Sequence, residues 1–122
     1  MRILVVSAHY PPNFVSGGTL APQRIAQQLA ARGHEVGVFA GWLGDDRAPL
    51  ECWTEPDDRG VPVTWIVVTP WTAWGADENY DNPAVTARFA EHLADMRPDV
   101  VHFHALQTLG TGLLGVAAPD SM

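Results

Sequence analysis

Short apolar runs alternate along this chain with segments whose apolar residues recur about every four positions. Residues 3–7 (ILVVS) form the first run and read as a buried strand. Residues 19–32 follow as a helix, with Ala21, Ile25 and Leu29 on one stripe and Gln23, Gln27 and Gln28 elsewhere around it. Gly33 stands where a C-cap glycine belongs. Residues 35–40 are the second strand, and residues 41–60 are polar, acidic and loop-like. Residues 61–68 are the third strand, with Val63, Trp65 and Val67 on one face. Residues 70–82 are expected to be a long loop carrying Trp71, Trp74 and Tyr80. A second helix covers residues 83–96, with Pro83 in its first turn and Val85, Phe89, Leu93 and Met96 as its stripe. Residues 99–104 are the fourth strand, and residues 106–118 a last helix, weakened by Gly110, Gly112 and Gly115.

That alternation implies an α/β fold: a Rossmann-like parallel sheet in the order 3-2-1-4, with helices on both faces. Ligands of such sheets bind beyond the carboxyl ends of the strands, at the switch point, here between the first and fourth strands. Two stretches converge on that place. One is the loop of residues 7–19, "SAHYPPNFVSGGT", with His9, Gly17 and Gly18. The other is the run from His102 through His104 to Gln107.

Composition narrows the chemistry. The 122 residues are about one domain's worth, and no repeat, low-complexity tract or linker marks a second. A net charge of −7 and the absence of any lysine argue against a nucleic-acid partner, which requires a basic face. The single Cys52 excludes an intramolecular disulfide and a cysteine-based zinc site. The apolar start is too short for a signal-peptide core or a membrane span, so a soluble, cytoplasmic protein is expected. Five tryptophans are many for this length. Packing and substrate contacts are their expected uses, and a membrane surface is the other place for some of them.

The loop after the first strand is then read by exclusion. A dinucleotide fingerprint, G-x-G-x-x-G directly after the strand, is absent, and a P-loop requires a lysine. What remains is Gly17-Gly18 at the start of a helix. Glycines admit close approach of a ligand to the backbone, and a helix N-terminus favours an anion. A plain turn is the alternative. His102 and His104 alternate along a strand and so share a face, with His9 beside them. Three histidines could bind zinc, but no carboxylate arrangement accompanies them, and no metal or cofactor is expected. His104, the outermost, is the functional candidate of the pair. His34 belongs to the far end of the sheet, and His92 lies on the second helix beside its stripe.

"MRILVVSAHYPPNFVSGGTLAPQRIAQQLAARGHEVGVFAG" resembles the opening of the GT4-type retaining glycosyltransferases, which have the GT-B fold. "RPDVVHFHALQTLG" is similar to that family's "PDVVHxH" strand and the loop after it. The resemblance implies that Gly17 and Gly18 approach a phosphate or sugar, and that His104 lies near the transferred sugar as a catalytic group. It implies an acceptor chosen partly by the loop of Trp71, Trp74 and Tyr80, and a nucleotide-sugar donor held mainly by a second, C-terminal domain. That domain's E-x7-E motif is not in these residues. The chain is therefore expected to be an incomplete N-terminal half of a GT-B fold, inactive alone. The start "MRILVVSAH" also resembles zinc-dependent N-acetylglucosamine deacetylases. Those continue in a His-Pro-Asp-Asp-Glu run, whereas Tyr10, Pro11, Pro12 and Asn13 follow His9 here. A remnant without an active site is the third reading.

Overall fold

The computed structural model describes residues 1–44, 46–68, 82–105, 109 and 112–117. Among them, five strands form one sheet: β1 (Arg2–Ser7), β2 (Glu35–Trp42), β3 (Cys52–Pro56), β4 (Pro62–Val67) and β5 (Val100–Ala105). The helices are α1 (Gly17–Ala31), α2 (Pro83–Met96) and α3 (Gly112–Ala117). The strand order is β3-β4-β2-β1-β5. β1 lies parallel to β2 and β5, and β2 parallel to β4. These four keep the expected 3-2-1-4 order.

The departure is β3, which pairs antiparallel with β4 and makes the sheet mixed. It lies inside residues 41–60, expected to be loop. Its sequence, CWTEP, carries one large apolar side chain, Trp53, so there is no apolar alternation to read. Pairing and a tight turn make the strand instead. Asp57 Oδ1 accepts the amides of Arg59 (2.8 Å) and Val61 (3.0 Å), and Gly60 takes φ +84°, a left-handed conformation that favours glycine. Glu55 and Pro56 suit an exposed edge. A second departure is the last helix. α3 spans six residues, against the thirteen expected over 106–118, of which 106–108, 110, 111 and 118 lie outside the described residues.

Helices cover both faces. On one, Ile3, Val5, Val36, Val38, Val63 and Trp65 pack with Ala26 of α1, and Leu29 and Ala30 close the contact. On the other, Leu4, Val6, Phe39 and Ile66 pack with Val85 and Phe89 of α2 and Leu113 of α3. The alternation of β1 between these clusters is the period-2 pleat at work. α2 begins as its sequence indicates: Asn82 Oδ1 accepts the Val85 amide at 3.4 Å, and Pro83 fills the first position, where no amide is needed. α1 ends at Gly33, φ +93°, with the His34 amide donating back to the Leu29 carbonyl.

The amino ends of the strands are tied by Arg2. Its backbone amide donates to Asp99 (2.7 Å), and its guanidinium bonds Glu35 (2.5 Å) and the Met96 carbonyl (3.2 Å). The pair with Glu35 is exposed and contributes little to stability. At the carboxyl ends the backbones close in more tightly. A Cβ on Gly41 would meet the Ala8 carbonyl oxygen at 2.5 Å, so only glycine lets the end of β2 pass beside the chain leaving β1. β5 is an edge of this sheet, with Val100 43% exposed.

Candidate functional site

At the carboxyl ends of β1 and β5 the sheet brings two chemistry-bearing stretches together. Val5 of β1 pairs with His102, and Val5 belongs to the α1-side cluster, so His102 points to the α1 face of the sheet. His104 joins it there: the two rings lie 4.3 Å apart, centroid to centroid. The register slips between Val6 and Ser7, a local irregularity of the kind that re-aims side chains beside functional sites. Past it, the Ala8 amide donates to the Ala105 carbonyl at 2.9 Å. That bond sets the chain entering His9 against the chain leaving His104.

The loop from Ala8 to Ser16 is closely held. Ser7 Oγ donates to the His9 carbonyl at 2.6 Å, and the Phe14 amide to the Tyr10 carbonyl at 3.2 Å. The His9 ring packs on Phe14, 5.1 Å between centroids. Tyr10 is fully buried and meets Trp65 edge-on at 6.2 Å, so the tyrosine of "HYPP" is a core residue. Burial, with Asp57 and Asp58 nearby, pushes its phenol well above the ordinary range. The Pro11-Pro12 bond is cis. The Asn13 side chain bonds both backbone groups of Leu43, at the end of β2. The Ser16 amide then donates to Thr19 Oγ1 at 2.8 Å, and α1 begins at Gly17. Pro22 has no N–H to offer the carbonyl four residues back, at Gly18.

His9 and His104 share one electrostatic condition. Burial lowers the pKa of both, and for His104 the neighbouring His102 adds to the effect. Each is a neutral imidazole at pH 7, able to donate one hydrogen bond and accept another. Nδ1 of His9 and Nε2 of His104 are buried and have no protein partner among the described residues. The chain has seven arginines and no lysine, and four of the arginines are engaged in the fold. Arg2 ties the amino ends, Arg32 caps the far end of α1, and Arg97 caps α2. Arg47, in the segment after β2, pairs with Glu51 at 3.1 Å and stacks on Trp53 at 3.7 Å.

The structure thus sets Ala8, just before His9, against Ala105, just after His104, and the loop from His9 leads on to α1 at Gly17. Trp71, Trp74, Tyr80 and Gln107 lie outside the described residues. No group of three or more His, Cys, Asp or Glu is placed to hold a metal among those described. A cavity of about 440 Å³ lies away from these groups, between α2 and β3, lined by Cys52, Thr54, Thr64, Arg88 and His92 among others. His92 is half-buried, as its place beside the stripe suggests: it packs on Phe39 at 5.5 Å, and burial lowers its pKa. Sequence reasoning missed Asn13, although an asparagine after two prolines is a turn signal.

A largely parallel α/β sheet with helices on both faces, in this strand order, is a Rossmann-like domain. The profile described as "Glycosyl transferase 4-like domain" matches residues 16–120, and the chain belongs to that family of glycosyltransferases. The match begins at Ser16, so His9 stands as a candidate on geometry rather than on the family. No curated protein matches the chain. No helix among the described residues is long and apolar enough to cross a membrane.

Proposed function

We propose that this chain forms the acceptor-side wall of a two-domain GT-B glycosyltransferase that moves a sugar from a nucleotide-sugar donor to an acceptor. The observation that carries this reading is the setting of His104, neutral and with Nε2 lacking a hydrogen-bond partner among the described residues, at the strand end tied to the loop leading into α1. His104 bonds a hydroxyl of the transferred sugar or meets charge as the leaving group departs. The first amides of α1, at Gly17 and Gly18, face a phosphate or sugar oxygen, where a helix N-terminus is favourable to negative charge. His9 and Gln107 contact substrate, and Trp71, Trp74 and Tyr80 choose the acceptor. Donor nucleotide contacts come from the second domain, and the transfer is retaining, as in the family the chain resembles.

Gly18→Val in the two-domain enzyme tests the glycine pair. Valine is a better helix former than glycine, so helix propensity does not oppose the change. The added side chain shields the amides, and the expected result is a raised substrate KM or loss of turnover with an unchanged circular dichroism spectrum. Unchanged kinetics would reduce the pair to a plain turn.

A further inference from the structure

Asn13 lies midway between His9 and Gly17, and its side chain acts as a backbone substitute. Oδ1 accepts the Leu43 amide at 2.7 Å, and Nδ2 donates to the Leu43 carbonyl at 2.8 Å. Both bonds go to one residue, the first beyond β2, across thirty positions of sequence. They tie the loop after β1 to the chain one residue beyond the end of β2. Among the described residues, the other hydrogen bonds of residues 12–16 are local in sequence: the Phe14 amide to Tyr10, and Ser16 with Thr19 and Leu20. Ser7 and Ala105 hold the loop only at its beginning.

We propose that Asn13 is a positioning residue of the site, clamping the loop to the end of β2 so that His9 and the first turn of α1 keep a fixed relation. The inference rests on the reading of this end of the sheet as the substrate site. Both polar groups of Asn13 are already bonded to Leu43, so its proposed role does not require a substrate contact. It acts through its neighbours. Phe14, the next residue, carries the ring on which His9 packs, and three residues further on α1 begins.

The test uses the 122-residue chain and two variants, followed by amide hydrogen exchange and by the histidine ring titrations in NMR. Asn13→Ala removes both bonds. Asn13→Asp keeps the acceptor for the Leu43 amide but sets a carboxylate oxygen against the Leu43 carbonyl, and acid, by protonating it, restores a donor. In Asn13→Ala the Leu43 amide is expected to exchange roughly tenfold to a hundredfold faster, the loss that one or two such bonds represent. The His9 titration rises toward the ordinary histidine value as its ring gains water, while that of His92, on α2, stays in place. Asn13→Asp shows the same His9 shift at neutral pH, with Leu43 protection recovering as pH falls, and it carries the test if the alanine variant fails to fold. An unmoved His9 titration in the folded variants overturns the proposal, as does a shift of His9 and His92 together, which would signal general loosening. These readouts involve no substrate, so a failure to find sugar transfer would count against the transferase reading and leave the clamp standing.

Discussion

If the chain is one wall of a two-domain transferase, as proposed, His104→Ala in that enzyme is expected to lower turnover about a hundredfold or more, the usual effect of removing one well-placed polar group from a transition-state site. The structural reason is specific. His104 sits at the carboxyl end of β5, its ring 4.3 Å from that of His102, with Nε2 buried and without a hydrogen-bond partner among the described residues. In the proposed reading, a neutral ring bonds the transferred sugar without adding a fixed charge. His34→Ala is the control: His34 precedes β2 at the opposite end of the sheet, bonded through its backbone to Leu29. Turnover should fall far more in the first variant than in the second, at equal urea midpoints. Equal kinetic effects, or loss of folding confined to His104→Ala, would make His104 a packing residue.

Trp65→Ala is expected to cost the fold about 3–5 kcal/mol, the range for aromatic-to-alanine changes in a core. Trp65 is 1% exposed, meets Trp42 edge-on at 5.2 Å and Tyr10 at 6.2 Å, and so joins β4 to β2 and to the loop after β1. Against a total stability of about 5–15 kcal/mol, that loss lowers the urea midpoint by about 1.5 M or more. Trp53, on the edge strand and half-buried, should cost clearly less. A Trp65→Ala midpoint within about 0.5 M of the parent chain would contradict this packing.

The pairing of Trp65 with Tyr10 also shows where legibility ended. The four parallel strands were readable as short apolar runs, and residues 83–96 match α2 at both ends, but the stripe expected on α1 was misplaced: Ala21 is exposed, and Ala26, Leu29 and Ala30 face the sheet. β3 was hidden because its register with β4 comes from tertiary pairing and an aspartate turn, not from its own pattern. The shared face of His102 and His104 follows from strand alternation and was visible in sequence. The role of Tyr10 was not: nothing local tells that the chain turns inward there and buries the ring beside Trp65. The clamp of Asn13 on Leu43 was hidden for the same reason, since its partner is thirty residues away. Composition did indicate the scarcity of cations in the chain. With no lysine and seven arginines, the chain uses Arg2 at the amino ends and pairs Arg47 with Glu51.

That scarcity and the neutral histidines bear on the central claim, that this domain end receives sugar substrates as one wall of a cleft completed by another domain. The direct measurement is a backbone NMR titration of the isotope-labelled 122-residue chain with UDP-glucose and GDP-mannose. Charge-assisted contacts to a diphosphate are the strong ones, and a chain with seven arginines and no lysine offers few. The account predicts shifts gathered on residues 8–18 and around His104, still unsaturated at millimolar ligand, with no sugar transferred. Saturation at micromolar ligand, or shifts gathered instead in the cavity between α2 and β3, would contradict it.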